Sequence, residues 1–168
     1  MTLRDYLPTD AESLAAVYRD AARNLGRQRY TDAQTSAWAL HPEDLEQFRV
    51  ALSAGQTICA VVDGSPVAFG QRNPADHLAY LYCHSAHARR GYASAILAAL
   101  EARAAADRVS TLQVEASGVA RPFFERHDYL VVEEEHPIRH GLEFLRFKMR
   151  KELTNSQTGT APVAAPLA

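Results

Sequence analysis

A strand that passes through a short basic turn into a long helix is the feature that most constrains this sequence. Residues 77–83 (HLAYLYC) have the apolar and aromatic composition of a strand, and residues 91–106 carry apolar side chains at helical spacing. Arg89, Arg90 and Gly91 stand at the junction. A helix that starts after such a turn presents unpaired backbone N–H groups and the positive end of its dipole. The segment therefore predicts a pyrophosphate cradle, and the alternative is an ordinary strand–helix connection with solvated arginines.

The remaining sequence alternates between helical and strand patterns and predicts one α/β domain. Helical spacing dominates before residue 56, and β-branched or alternating segments dominate after it. We predict strands at 2–7, 56–62, 65–71, 77–83, 110–116, 129–138 and 142–150, and helices at 12–25, 31–38, 43–55, 91–106 and 119–127. This order predicts a mixed, mostly antiparallel sheet. The predicted domain covers residues 1–152, and the small, polar and proline-bearing segment 153–168 is expected to be a disordered tail.

Local signals mark several of the predicted element ends. Thr31 and Gln34 have the spacing of a capping box at a helix start. Asp63-Gly64 is the residue pair typical of a two-residue hairpin turn. Pro42 is expected in the first turn of the third helix.

Charge and composition exclude several classes of protein. The 168 residues carry 18 basic and 20 acidic side chains, a net charge of −2 that does not suit a general nucleic-acid binder. No apolar run approaches the ~20 residues of a membrane helix, and the start MTLRDYLPTD lacks the apolar region of a signal peptide. We therefore expect a cytoplasmic monomer or homodimer with Cys59 and Cys83 reduced. Cys83, His84 and His87 are close in sequence but lack a second cluster, so no metal site is predicted.

Two blocks of the sequence resemble those of a known superfamily. The run LYCHSAHARRGYASAILAALE resembles the acyl-CoA signature of the GNAT superfamily of N-acetyltransferases, and LQVEASGVARPFFERHDYLVV resembles its second block. YTDAQTSAWA and SGVARPFFER are similar to segments of the small bacterial YafP-like acetyltransferases. The resemblance implies a GNAT-type α/β (α+β) fold with a mixed, mostly antiparallel central sheet of about six or seven strands flanked by helices. It implies acetyl-CoA as co-substrate and an amine as acceptor.

The resemblance also implies which residues bind acetyl-CoA. In the family, the backbone of the strand end, here Leu81, Tyr82 and Cys83, bonds the acetyl and pantetheine portions. Ser117 falls where many members have an asparagine that contacts pantetheine, and Phe124 where many have a tyrosine that protonates the leaving thiolate. The loop implied to hold the pyrophosphate consists of Ala88, Arg89, Arg90, Gly91, Tyr92, Ala93 and Ser94.

Three positions depart from the family pattern. Ala88 replaces the usual Gln or Arg, for which Arg89 and Arg90 are expected to compensate. Phe124 has no acidic proton, which leaves Tyr82, Tyr92, Tyr129 or water as the general acid. The third departure is the segment His127-Asp128-Tyr129, which replaces the usual x-G-F.

The implied reaction is direct attack of a neutral amine on the thioester, which needs a base and donors for the developing oxyanion. Glu115 and His77, each at one end of a predicted strand, are the candidate bases, and each has a structural or solvent-facing role as its alternative. Tyr30 and Trp38 are candidate acceptor-binding residues, because amphipathic aromatics line amine pockets, although core packing is equally consistent. A non-catalytic acyl-CoA-binding module is the alternative function.

Overall fold

The computed structural model describes residues 1–154. The helices are α1 Ala11–Asp20, α2 Asp32–Trp38, α3 Leu45–Ser53, α4 Tyr92–Ala106 and α5 Arg121–Arg126. The strands are β1 Thr2–Asp5, β2 Gln56–Val62, β3 Ser65–Arg72, β4 His77–Cys83, β5 Thr111–Ser117, β6 Leu130–Glu135, β7 Ile138–Arg139, β8 Leu142–Glu143 and β9 Arg146–Glu152. Across this described part, no helix is long and apolar enough to span a bilayer.

Seven strands form one sheet in the order β1-β2-β3-β4-β5-β9-β6. Every neighbouring pair is antiparallel except β4 and β5, which run parallel. β7 and β8 form a separate short hairpin. The predicted mixed, mostly antiparallel sheet with flanking helices is therefore confirmed.

The helices cover the two faces of the sheet and create two apolar clusters. Ile96 and Leu100 of α4 are completely buried against one face. Leu14 of α1 and Phe48 of α3 are buried against the other face. Removing a side chain of this size from water stabilises the fold by roughly 1.5–3 kcal/mol, so both helix layers are fixed to the sheet by burial.

A β-bulge in β4 changes which side chains face each cluster. Two adjacent residues of β3, Gln71 and Arg72, pair with Tyr80 and Leu78 of β4. Ala79, which lies between these two, is therefore an extra residue without a partner on β3. Leu78 packs in the α4-side cluster, whereas Tyr80 and Tyr82 pack on the α1 side. Because the extra residue reverses the alternation of side chains, His77 shares the α1-side face with the two tyrosines.

The structure confirms some local predictions and corrects others. Thr31 and Gln34 form the predicted capping box, and positive φ angles at Asp63 and Gly64 give the predicted tight hairpin turn. The third helix instead begins at Leu45, where Asp44 caps two backbone N–H groups, so its predicted start around Pro42 is wrong.

The first helix also differs from its prediction. The α-helical hydrogen bonding of α1 ends at Asp20, and residues 21–25 continue as a wider π-helical turn before a 3₁₀ turn at 26–28. The predicted segment 12–25 is therefore helical throughout, but its last five residues have π-type hydrogen bonds, which hydrophobic spacing does not distinguish from α-type bonds.

Leu153, the residue that follows β9, is attached to the domain. The N–H of Leu153 donates to the C=O of Ser110 at 2.7 Å, and its side chain packs against the α4-side cluster. The predicted tail, 153–168, thus begins with an attached residue, and residues 155–168 lie outside the described part of the chain.

Candidate functional site

β4 and β5 are paired only near their beginnings and then separate. Their ladder consists of His77 with Gln113 and Leu78 with Val114. Both strands continue past this point, β4 to residue 83 and β5 to residue 117. A gap therefore opens in the middle of the sheet between the C-terminal ends of two neighbouring parallel strands.

The backbone of the β4 end offers free hydrogen-bonding groups to this gap. The N–H of His84 donates to Val67 of β3 at 2.9 Å. Successive residues of a strand direct their N–H and C=O groups to opposite neighbours, so those of Leu81 and Cys83 point away from β3. They face the gap, where an extended ligand could replace the missing strand.

A cavity of about 960 Å³ occupies the gap and reaches both faces of the sheet. Ala93 of α4 and Phe124 of α5 line it on one side. On the other side, aromatic residues of α1, α2 and β4 line it, and Glu115 and Ser117 contribute the β5 edge.

The start of α4 lies on the α4 side of the gap and has the properties predicted for an anion site. Gly91 precedes the helix with φ of +83°, and nothing stands within 4 Å of where a Cβ would lie. None of the described side chains caps this helix start, and the first backbone hydrogen bond of the helix runs from the Ala95 N–H to the Gly91 C=O. The N–H groups of Tyr92, Ala93 and Ser94 are therefore available to a ligand.

Not every residue of the predicted loop contributes a free donor. The N–H of Ala88 already donates to Ser85 at 3.2 Å. Arg89 and Arg90 are exposed, and within residues 1–154 neither makes an ion pair or side-chain hydrogen bond. Both guanidinium groups are consequently available to an anion at the helix start.

Asp20 attaches this loop to α1. Its carboxylate accepts hydrogen bonds from the backbone N–H of Ser85 at 2.6 Å, from Ser85 Oγ at 3.1 Å and from Asn24 at 2.7 Å. Burial opposes ionisation, but these hydrogen bonds lower the pKa of Asp20 overall. A charged Asp20 therefore fixes the β4–α4 loop against the first helix.

The two candidate bases are hydrogen-bonded to each other. Nε2 of His77 on β4 meets Oε2 of Glu115 on β5, and the side chains are 27% and 33% exposed. Glu115 also lines the cavity. The structure therefore joins two residues that the sequence placed separately, and it places the carboxylate where it can receive a proton.

Five aromatic side chains on the α1 side of the gap form a group that we term the aromatic box: Tyr18, Trp38, His41, Tyr80 and Tyr82. The Tyr18 ring lies 4.3 Å from that of Tyr82 and 4.8 Å from that of His41. Nε1 of Trp38 donates to the Tyr18 hydroxyl at 2.9 Å. All five line the cavity. The predicted acceptor residue Trp38 is thus one wall of a larger aromatic pocket.

Tyr30, the other predicted acceptor residue, connects the segment after β5 to the segment before β9. Its hydroxyl accepts from the Gly118 N–H at 2.9 Å and donates to the Leu145 C=O at 2.5 Å. Its ring lies 5.6 Å from Trp38 and 5.8 Å from Phe144. The ring lines the cavity, while the hydroxyl is already used by the protein.

The candidate general acids differ in position. Phe124 is buried and packs edge-on against Tyr129. The Tyr129 hydroxyl donates to Glu101 at 3.1 Å, outside the cavity lining, and burial raises its pKa. Tyr82 lines the cavity, and burial raises its pKa well above the usual value. Tyr82 therefore keeps its proton at neutral pH. Tyr92 is the first residue of α4 and, like Tyr129, does not belong to the cavity lining.

Three further polar groups have defined environments. Burial raises the pKa of Cys83 to about 11, so its sulfur is a thiol at neutral pH. Oγ of Ser117 accepts from the Ala120 N–H at 3.1 Å and so forms part of the turn before α5. Oγ of Ser94 lies 3.0 Å from Nε2 of His127, which connects the start of α4 to the end of α5.

Sequence reasoning missed Tyr18, His41 and Tyr80 as site residues. Tyr80 and Tyr82 are two residues apart on one strand, which is a signal for a shared face. Tyr18 follows the helical spacing of a core residue, and His41 lies in a connection. Their convergence depends on tertiary packing.

Comparisons with known proteins agree with this geometry. The family model described as an acetyltransferase (GNAT) domain matches residues 27–153. The uncharacterized N-acetyltransferase YafP of Escherichia coli K12 is 32% identical over 148 residues, which cover 88% of this chain and 93% of that protein. A GCN5-related N-acetyltransferase from Rhodopseudomonas palustris has 32% identity and a TM-score of 0.87, covering 90% of this chain and 95% of that one. The PaiA N-acetyltransferase of Thermoplasma acidophilum, solved with coenzyme A, shares the fold at 14% identity, with a TM-score of 0.73 over 90% of this chain and 98% of that one.

Proposed function

This chain belongs to the GNAT acetyltransferase family, and we propose that it transfers the acetyl group of acetyl-CoA to a primary amine by direct attack in a ternary complex. The observation that carries the proposal is the gap between β4 and β5. One cavity connects the uncapped start of α4 with the carboxylate of Glu115. Such a cavity has room for a thioester and for an amine that approaches it from the opposite face of the sheet.

The cofactor side of the proposal uses backbone groups. The N–H and C=O groups of Leu81 and Cys83 are suited to the amides of the pantetheine arm, because an extended chain can pair with them as a strand would. The N–H groups of residues 92–94 and the helix dipole are suited to the pyrophosphate, with Arg89 and Arg90 adding charge. The relative solved with coenzyme A has the same fold, which supports this assignment.

The acceptor side uses the pair of His77 and Glu115. The amine nitrogen attacks the thioester carbonyl carbon, its proton passes to Glu115 directly or through water, and the C–S bond then breaks to release a thiolate. His77 orients the carboxylate by holding one of its oxygens. The Cys83 N–H faces the gap and is our candidate donor to the oxyanion. Positioned bases typically contribute about 10²–10⁴-fold and an oxyanion donor about 10²–10³-fold.

The leaving thiolate needs a proton, and Phe124 has none to give. We assign this role to Tyr82 or to water, because the Tyr82 side chain carries a hydroxyl and lines the cavity. Cys83 has no assigned role as an acyl carrier, since its thiol is neutral at physiological pH. The two free cysteines are consistent with action in the cytoplasm.

The buried Phe124 is also the observation that favours a second function, a non-catalytic module that senses acyl-CoA. Two measurements on the purified chain separate the two. Calorimetric titration with acetyl-CoA tests the cradle, and release of free thiol across a panel of primary amines tests the transfer. Binding together with amine-dependent thiol release supports the enzyme. Binding without release on any amine supports the sensory module, and the absence of binding contradicts both.

A further inference from the structure

We infer that the acceptor amine has a flat apolar or aromatic body and a carboxylate remote from the amine, and that Arg139 binds this carboxylate. The inference rests on the proposed function and adds the class of substrate to it. The first observation is the shape of the acceptor side of the cavity. The second is a charged side chain at its rim that has no partner among residues 1–154.

The aromatic box favours a flat body. The rings of Tyr18 and Tyr82 pack on each other with centroids 4.3 Å apart, and those of Tyr80 and His41 stack at 6.2 Å, so a ligand would contact the ring surfaces that line the cavity. Tyr30 and Phe144 extend the same lining. Aromatic walls on several sides stabilise ring-shaped ligands through offset and edge-on contacts.

Arg139 is carried to the rim by a rigid hairpin. β7 and β8 are joined by a two-residue turn in which His140 and Gly141 have φ of +49° and +72°. The hairpin is closed further along by a bond of 2.9 Å from the Phe144 N–H to the Pro137 C=O. Arg139 and His140 both line the cavity. The turn thus places the backbone of Arg139 at the rim, and its side chain is exposed there.

Of the three carboxylates among the described lining residues, two are hydrogen-bonded within the protein. Asp44 accepts from the N–H groups of residues 46 and 47 at 2.9 and 3.0 Å, where it caps α3. Glu115 is bonded to His77, and Glu43 lies 3.7 Å from Nε2 of His140.

The two arginines in the cavity lining differ in whether a carboxylate of the protein pairs with them. Arg146 pairs with Glu135 at 2.7 Å. Over residues 1–154, Arg139 makes neither an ion pair nor a side-chain hydrogen bond. Among the described lining residues, the acceptor side therefore has an exposed guanidinium without a partner, and Glu43 is its one carboxylate without a hydrogen bond.

The charges around the box disfavour a second ammonium group. Burial lowers the pKa of His41, and the charges of Arg19 and Arg139 lower it further against the opposite effect of Glu43. Burial in the box likewise lowers the pKa of an amine that enters it, which favours the neutral form that attacks the thioester. With Arg139 at the rim, a carboxylate gains an opposite charge and a second ammonium group meets a like charge, so an acceptor with one amine and one carboxylate fits better than a diamine.

The test uses acceptors that differ by a single group. Thiol release is measured with 2-phenylethylamine, with 4-(2-aminoethyl)benzoic acid and with the diamine putrescine. We expect kcat/KM for the benzoic acid derivative to be about tenfold higher than for 2-phenylethylamine, because one charged hydrogen bond contributes about this factor. The difference from putrescine should be larger. The Arg139→Gln variant should lose the preference for the carboxylated amine, mainly because its KM for that amine rises. The Arg139→Lys variant should retain part of the preference.

Arg150→Gln, an exposed arginine on β9, is the matched control and should keep the preference. Equal kcat/KM for the neutral and carboxylated amines in the unaltered protein, or a preference for putrescine, would overturn the inference while leaving the acetyltransferase proposal intact. An unchanged preference in Arg139→Gln would overturn the role of Arg139. Acetyl-CoA binding without thiol release on any amine would overturn the proposed function itself.

Discussion

Glu115 and His77 are hydrogen-bonded across two parallel strands at the point where those strands begin to separate. The carboxylate thereby lies at the closed end of the gap and belongs to the cavity lining. A base at this place can take a proton from an amine that reaches the thioester from the α1 side. The pair also prevents the carboxylate from rotating freely, which is the usual effect of a second group bonded to a catalytic base.

Replacing Glu115 with Gln should lower kcat by about 10²–10⁴-fold, because the amide keeps the shape but accepts no proton. His77→Gln should cost less, since the carboxylate remains. Thiol release gives kcat, and calorimetry should show nearly unchanged affinity for acetyl-CoA in both variants. Glu12→Gln, at an exposed position of α1, is the control. If Glu115→Gln retained full kcat, Glu115 would not be the base.

Gly91→Ala should weaken acetyl-CoA binding more than it weakens the fold. Gly91 has φ of +83° and Gly64 has φ of +81°, and both have open space where a Cβ would lie. Alanine at either position should destabilise the protein by about 1 kcal/mol. Only Gly91 stands where a phosphate would approach the backbone, so only its variant should bind acetyl-CoA more weakly.

Denaturant unfolding and calorimetric titration measure the two effects of these glycine variants separately. Equal loss of acetyl-CoA affinity in Gly64→Ala, whose turn lies between β2 and β3, would show that the effect is general rather than local.

Cys83→Ala should retain kcat within a few fold. The pKa of about 11 leaves the thiol protonated at neutral pH, and the proposed direct attack uses only the backbone N–H of this residue. If the reaction passed through an acetylated cysteine, Cys83→Ala would instead lose nearly all activity. Thiol-release rates compare the two, and mass spectrometry of the unaltered protein with acetyl-CoA alone should show no acetyl group on Cys83.

The strand–turn–helix arrangement of the central segment was predictable from sequence because local signals define it. Two arginines and a glycine ahead of a helical pattern predict an anion site at the start of α4 without tertiary information. The acceptor side was not predictable in the same way. Ala79 forms a bulge that reverses the alternation in β4, so His77 lies on the face of Tyr80 rather than on that of Leu81. A period of two along the strand predicts the opposite face.

Asp20→Asn should weaken acetyl-CoA binding several-fold and destabilise the protein by about 1–2 kcal/mol at pH 7. The pKa of Asp20 is below its ordinary value of 3.8, so its charge stabilises the folded state above that pH. This stabilisation is lost as the pH falls through the folded-state pKa. The difference in unfolding free energy between the two proteins should therefore shrink between pH 7 and pH 3.

Denaturant unfolding of both proteins at pH 7 and pH 3 measures whether the stability difference caused by Asp20→Asn shrinks on acidification. Asp32→Asn, on an exposed side chain at the start of α2, is the control, and its difference should be small at both pH values. A difference for Asp20→Asn that grows on acidification would contradict the assigned charge.

Tyr30→Phe separates a structural role from an acceptor-binding role. The hydroxyl joins the Gly118 N–H on the β5 side to the Leu145 C=O ahead of β9. Its removal leaves both groups without this partner, which should cost about 1–3 kcal/mol of unfolding free energy. The phenylalanine ring still lines the cavity, so the KM for the acceptor should change by less than threefold, whereas Trp38→Ala, which opens the aromatic box, should raise it about tenfold or more. A large rise in acceptor KM for Tyr30→Phe without loss of stability would instead assign the hydroxyl to the substrate, because a group that only joins two walls acts on the fold before it acts on binding.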